Sequence, residues 1–157
     1  MSPSRRQVLS GTVSLIGVCI LPGTAFVEGF DPIEVFKTAT CGCCHDWIAH
    51  LQDAGFAVAA QDLPQDRLTD LKRSIGVPDA LVSCHTGWIA GYVIEGHVPA
   101  EDIRRLLVDR PDAIGLSVPE MPFGSPGMGP EDQREAYDVI LIGRDGRQTV
   151  YASYPAA

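Results

Sequence analysis

Three of the five cysteines fall within four positions, at Cys41, Cys43 and Cys44. They follow residues 33–38, whose alternating β-branched and aromatic side chains predict a strand, and they precede a run with the apolar spacing of a helix. Free backbone N–H groups and the positive end of the helix dipole at such a junction favour thiolate over thiol. The cluster therefore constrains this part of the chain to a strand, a turn carrying reactive sulfur, and a helix.

Length and charge restrict the class of protein. The chain has 157 residues, 45% of them hydrophobic, which is typical of one globular domain. A formal net charge of −8 provides no basic field for a phosphate backbone, so we expect no nucleic-acid partner and no attraction to acidic membranes. The sequence also lacks a P-loop, a dinucleotide fingerprint and the residue order of a serine hydrolase.

Residues 1–25 have the layout of an export signal. Arg5 and Arg6 precede an apolar run over residues 8–21, which is too short for stable insertion as a transmembrane helix. The paired arginines predict the twin-arginine route and a periplasmic location. We therefore divide the chain into a signal at 1–25, which would carry Cys19 away, and a single domain at 26–157.

The pattern of strands and helices after the signal predicts an α/β fold. Strand patterns at 33–38 and 56–60 alternate with helical patterns, the first capped by Thr40 and the second by Asp62. A hairpin over 84–98 and a third helix after Pro99 complete the order βαβαββα, which gives a sheet with helices packed on it. A Pro/Gly-rich loop at 119–130 and a C-terminal β-hairpin follow.

The cysteine cluster permits two chemistries. Cys41 and Cys44 have the C-x-x-C spacing of dithiol oxidoreductases, with Cys44 on the buried face of the helix. Alternatively, the three thiolates hold a soft ion, either Cu(I) or Zn(II). Simple packing of Cys43 or Cys44 is the third alternative.

Further sulfur and nitrogen ligands lie outside the cluster. Cys84 and His85 come just before a predicted strand, and strand ends gather at sheet edges, so this pair can face the Cys41 turn. Met121 and Met128 lie in the Pro/Gly-rich loop, where thioethers would suit Cu(I).

The other histidines remain open at this point. His45 either ligates or is solvated, His97 either caps a helix or ligates, and His50 is expected on the surface.

Four separated motifs resemble the exported, copper-tolerance proteins of the CopG-like family. They are TCGCC at 40–44, SCHT at 83–86, GYVIEGHVPA at 91–100 and MPFGSPGM at 121–128. The resemblance spans about residues 33–151 and implies a thioredoxin-like fold. It also implies copper at Cys41, Cys43 and Cys44, with Cys84, Met121 and Met128 as neighbours.

These observations together predict a periplasmic copper-binding protein for copper homeostasis or resistance, with a site that includes His85 and could hold several Cu(I) ions. Because the ligands could also accept Cu(II), copper redox activity extends this prediction, with other periplasmic copper-handling or redox proteins as partners. Two alternatives stay open: a thiol-disulfide oxidoreductase using Cys41 and Cys44, and a structural zinc protein using all four mature cysteines.

Overall fold

A computed structural model describes residues 31–157. In this part of the chain three α-helices alternate with seven strands, as follows: β1 (Ile33–Lys37), α1 (Gly42–Asp53), β2 (Val58–Asp62), α2 (Gln65–Ser74), β3 (Thr86–Ile89), β4 (Tyr92–Glu95), α3 (Ala100–Asp109), β5 (Ala113–Ser117), β6 (Tyr137–Gly143) and β7 (Gln148–Tyr154). The proposed signal at 1–25 and Cys19 lie outside the described residues.

The strands form one mixed sheet in the order β2-β1-β3-β4-β5-β6-β7. The pairs β1–β2 and β4–β5 are parallel and the other neighbouring pairs are antiparallel. The sheet with its flanking helices confirms the predicted α/β class. The hairpin of β3 and β4 and the C-terminal hairpin of β6 and β7 lie where the sequence predicts them.

One apolar core joins α1 and α3 to the sheet. Trp47 and Leu51 of α1 and Ile103 and Leu106 of α3 are completely buried, and they belong to the same cluster as the central-strand residues. The predicted apolar stripe of α1 therefore packs inward, with Cys44 also buried on that face.

Two predicted helix starts differ from the structure, and one strand of the structure has no counterpart in the prediction. Helix α1 begins after Cys41 rather than after Thr40, because the Cys41 N–H donates to the Thr38 carbonyl in a preceding turn. Helix α2 begins after Pro64, since Asp62 still belongs to β2 and pairs with Lys37. Strand β5 was not predicted, because its short sequence AIGLS contains a glycine and lacks a clear alternation.

The register of the sheet brings four connections to one edge. Phe36 near the end of β1 pairs with Thr86 at the start of β3, and Thr86 pairs with Glu95 at the end of β4. Glu95 pairs in turn with Ser117 at the end of β5. The segments that follow β1, precede β3, follow β4 and follow β5 therefore meet at this edge.

Over residues 31–157, no helix combines the length and the apolar character that crossing a bilayer requires.

Candidate metal centre

The first part of the site is the turn that leads into α1. Cys41 and Cys44 form a disulfide with a Cα–Cα distance of 5.4 Å. Cys44 is completely buried on the core face of α1, whereas Cys41 is half-buried at the position that caps the helix. The structure thus joins the two cysteines of the predicted C-x-x-C pair.

Cys43 connects this turn to the second part of the site. Its sulfur lies 3.6 Å from the Cys41 sulfur and 3.9 Å from the Cys84 sulfur, and both Cys43 and Cys84 are free thiols. The sulfurs of Cys41, Cys43, Cys44 and Cys84 all lie within 4.8 Å of one another. The two distant cysteine segments therefore converge on one point, as the strand-edge argument expects.

His97 presents a nitrogen lone pair to this cluster. Its Nδ1 lies 2.7 Å from the Pro126 carbonyl oxygen, which can only accept a hydrogen bond, so Nδ1 carries the proton of the neutral ring. Its Nε2 lies 3.1 Å from the Cys84 sulfur. Burial lowers the pKa of His97, although the Pro126 carbonyl opposes this. The neutral ring is therefore favoured, with Nε2 available as a ligand.

His85 lies on the other side of Cys84. Its Nδ1 is 3.2 Å from the Cys84 sulfur, and its ring is completely buried against Trp47 with a centroid distance of 4.2 Å. Burial, His97 and Lys72 together hold the pKa of His85 well below its usual value. Within the described residues its Nε2 has no hydrogen-bond partner. Cys84, His85 and His97 thus form a second group whose ligand atoms lie within 4.8 Å of one another.

The electrostatic environment of Cys84 favours the thiol in the metal-free protein. Burial, together with the neighbouring Cys43, raises the pKa of Cys84 to about 12, and Ser83 and Lys72 only partly oppose this. A soft metal ion would reverse the preference, because binding to the metal stabilises the thiolate.

A buried ion pair supports the segment before β3. The Lys72 ammonium lies 2.5 Å from a Glu95 oxygen and 2.9 Å from the Thr86 hydroxyl. The same Glu95 oxygen accepts the Ser83 N–H at 2.7 Å, and the other accepts the Thr86 hydroxyl. Burial raises the pKa of Glu95, while Lys72 lowers it. Because Ser83 precedes Cys84, this network fixes the backbone that carries the Cys84 sulfur.

A loop over residues 118–130, here called the covering loop, packs on the site. Glu120 forms a bridge with Ser83 and accepts its hydroxyl hydrogen bond. Farther along, Gly127 approaches the start of α1 so closely that an added Cβ would lie 2.6 Å from the Trp47 nitrogen and 3.0 Å from the Cys43 oxygen. The loop is thus attached to both parts of the site.

The two methionines predicted as ligands belong to this loop. Met121 is 48% exposed, and Met128 is half-buried, with its N–H bonded to the Ser125 carbonyl. Their roles as copper ligands remain predictions.

The remaining two histidines differ from each other. His45 is exposed on α1. His50, which we expected on the surface, is half-buried, and its Nε2 accepts the Ala100 N–H at 3.2 Å at the start of α3. His50 therefore caps a helix rather than belonging to the cysteine cluster.

Two charged residues of the site were not singled out from the sequence. Lys72 and Glu95 were not recognised, because charged residues in helical and strand patterns are usually solvated. The signal for His97 as a site residue is Gly96, which adopts φ +71°; a Cβ there would lie 2.5 Å from the Ser83 hydroxyl oxygen. Only glycine permits the chain after β4 to pass so close to Ser83, and the next residue, His97, then lies beside the Cys84 thiol.

The fold and site together define an α/β protein with a thiol- and imidazole-rich centre at one edge of its sheet. A family model described as "Protein of unknown function, DUF411" matches residues 81–128. Two solved structures, both named copper resistance protein copG, are 46% identical to the chain over 80% of its length. Form 1 has a TM-score of 0.74 with 98% of its chain covered, and form 2 has 0.72 with 100% covered.

The chain therefore belongs to the CopG family of copper resistance proteins. A comparison with curated protein sequences gives no match.

Proposed function

We propose that the reduced protein binds Cu(I) through Cys41, Cys43, Cys44 and Cys84. The observation that carries this proposal is the separation of at most 4.8 Å among the four sulfurs, which two distant segments contribute. Thiolates are soft ligands that prefer Cu(I) to hard cations, and sulfurs this close can bridge more than one ion. The names of the two CopG structures support copper as the cargo.

The imidazoles would extend the ligand set. The His97 Nδ1–H donates to the Pro126 carbonyl. Metal-binding histidines in proteins commonly donate their other ring N–H in this way, which orients the ring towards the metal. His85 places Nδ1 near the same Cys84 sulfur. Since imidazole also suits Cu(II), a mixed sulfur and nitrogen set would accommodate both oxidation states, which is the basis for a role in copper redox chemistry.

Met121 and Met128 would complete the site from the covering loop. The attachment of this loop to Ser83 and to the start of α1 supports the proposal, because it holds the loop backbone beside the cysteine segments. Thioethers need no deprotonation and bind Cu(I) as neutral ligands.

We further infer a thioredoxin-like scaffold and a periplasmic location. The element order β1-α1-β2-α2-β3-β4-α3 and the strand order β2-β1-β3-β4 support the scaffold. The signal-like residues 1–25, with Arg5 and Arg6, support export by the twin-arginine route. In that compartment, the partners would be copper ions and other copper-handling or redox proteins.

The Cys41–Cys44 disulfide favours a second candidate function, thiol-disulfide oxidoreductase activity. A half-buried Cys41 paired with a buried Cys44 fits an attacking thiol and its resolving partner. It also means that the protein must be reduced before all four thiolates are available for copper.

The copper proposal is tested by anaerobic titration of the reduced protein with Cu(I) against a competing chelator. Cys43→Ser and Cys84→Ser should each weaken Cu(I) binding by at least about tenfold, since each removes one thiolate. In the full chain, which retains residues 1–25, Cys19→Ser is the matched control and should leave the affinity unchanged. Full affinity in Cys84→Ser would contradict the proposed site.

The same proteins separate the alternatives. Intact copper uptake in Cys43→Ser, with insulin reduction abolished in Cys41→Ser and Cys44→Ser, would favour the dithiol enzyme. Displacement of bound Cu(I) by equimolar Zn(II) would favour a structural zinc site.

A further inference from the structure

We propose that the oxidised protein transfers its disulfide internally, from the Cys41–Cys44 pair to a Cys43–Cys84 pair. This thiol–disulfide exchange is an activity separate from copper binding, because it needs no metal. It would make Cys43 the link between two alternative disulfides at one site.

The geometry carries the proposal. The Cys43 sulfur lies 3.6 Å from one sulfur of the existing disulfide, that of Cys41, and 3.9 Å from the Cys84 sulfur. A disulfide bond measures about 2.05 Å, so each new bond requires the two sulfurs to approach by less than about 2 Å. Cys43 is also half-buried in the first turn of α1, at the end of the helix rather than within the core.

The exchange takes place in two balanced substitutions at sulfur. In the first, the Cys43 sulfur attacks Cys41, the Cys41–Cys43 bond forms, and the Cys41–Cys44 bond breaks with Cys44 as the leaving thiolate. In the second, Cys84 gives its proton to the Cys44 thiolate released in the first step, whose sulfur lies within 4.8 Å, and attacks Cys43. The Cys43–Cys84 bond forms and Cys41 leaves as a thiolate. The protons lost by Cys43 and Cys84 end on Cys44 and Cys41, so no external oxidant or reductant is consumed.

The surroundings fit two stable end states. Before exchange, the free thiols are Cys43 and Cys84, and Cys84 lies beside the histidines. After exchange, the free thiols are Cys41 and Cys44 at the start of α1. The buried ion pair that fixes Ser83 also holds the backbone of Cys84, the thiol that enters the final disulfide. The oxidised protein would therefore present two different pairs of free thiols.

Tryptic peptides distinguish the two disulfides directly. Cys41, Cys43 and Cys44 share the peptide 38–67, whereas Cys84 lies in the peptide 74–104 and Cys19 in the peptide 7–37. The Cys43–Cys84 disulfide thus joins two peptides, while bonds within the 41–44 cluster do not. The full chain is oxidised by two electrons in metal-free buffer with a chelator, incubated, quenched in acid, alkylated and digested without reduction.

The expected result is a cross-linked pair of peptides 38–67 and 74–104 that grows with incubation and that fragmentation assigns to Cys43 and Cys84. Cys43→Ser should lower this cross-link at least about tenfold, whereas Cys19→Ser should not change it. The assignment in the unsubstituted chain does not depend on the folding of any variant.

Two results would overturn the proposal. One is a persistent Cys41–Cys44 disulfide with Cys43 and Cys84 alkylated in full at every time. The other is a cross-link that joins Cys84 to Cys41 or Cys44 and persists in Cys43→Ser. Because no copper is present, neither result affects the proposed copper site, and a failed copper titration would leave this measurement intact.

Discussion

The two parts of the site differ in how firmly the protein holds them. The 41–44 turn lies at a helix end, with Cys41 and Cys43 half-buried and a disulfide already formed. In the 84–97 part Cys84 is itself half-buried, but His85, Glu95 and His97 have no exposed surface. One part is suited to changing its sulfur bonds, and the other to keeping ligands in fixed positions.

This difference indicates a division of work within one site. A buried carboxylate and ammonium cost free energy unless they are paired and hydrogen-bonded, and the Lys72–Glu95 pair meets that requirement. The ion pair keeps the Cys84 segment in place while the 41–44 turn remains free to exchange partners. Comparing variants of the two parts tests this division.

The largest effect is expected from Lys72→Met, which removes the cation that supports the 84–97 part. It leaves Glu95 buried without its cation, which should lower the free energy of unfolding by about 3–5 kcal/mol. Urea denaturation of the metal-free protein measures the loss.

Arg73→Met provides the matched control on the same helix. Arg73 pairs with Asp70 at 3.9 Å on the surface, where such pairs contribute about 0–1 kcal/mol. Equal losses in the two variants would mean that the buried pair contributes no more to stability than the surface pair.

An intermediate effect is expected where the covering loop contacts the 41–44 turn. In Gly127→Ala, the new Cβ would meet the backbone of Trp47 and Cys43 at a position with φ +82°. We expect a loss of about 2–3 kcal/mol in stability, together with weaker Cu(I) binding, because the loop must move away from α1.

Gly91→Ala separates backbone strain from this contact. Gly91 has φ +86°, but an added Cβ there meets nothing within 4 Å, so we expect a loss of only about 1 kcal/mol and unchanged Cu(I) affinity. Equal effects on affinity in both glycine variants would show that the close approach of the loop is unimportant for copper.

The sequence predicts the 41–44 part better than the 84–97 part. The cysteine spacing and the apolar stripe of α1 identify the turn and the inward position of Cys44, because these depend on local chain geometry. The spacing also offers the Cys41–Cys44 pair as one of its alternatives, and the structure contains that disulfide. The approach of Cys84 follows from the rule that strand ends share an edge.

Local patterns cannot reveal features that depend on strand register. Glu95 is buried beside Thr86 because β3 and β4 pair at these residues, and Lys72 is buried because α2 lies over that position. The short strand β5 is equally hidden in the sequence, since Gly115 interrupts its pattern. For His97 the sequence leaves helix capping and ligation both open; the packing of distant segments places the Pro126 carbonyl and the Cys84 sulfur at its two ring nitrogens, which favours ligation.

The smallest effect is expected at His50, where α1 contacts the start of α3. Burial lowers the pKa of His50 from its usual 6.5 and Arg104 adds to this, although Asp53, Glu101 and Glu131 oppose it. Protonation of His50 is therefore easier in the unfolded chain than in the folded protein, so the stability that the neutral ring contributes above pH 6.5 is lost as the pH falls towards the folded pKa.

His50→Gln keeps an acceptor for the Ala100 N–H and removes this titration. The free energy of unfolding should therefore decrease less steeply on acidification in the variant, by at most about 1.4 kcal/mol per pH unit. Urea denaturation of the metal-free protein between about pH 7.5 and about pH 5.5 measures this slope, with His45→Gln on the exposed face of α1 as the control. An unchanged slope in His50→Gln would show that the contact between α1 and the start of α3 has no share in the acid sensitivity.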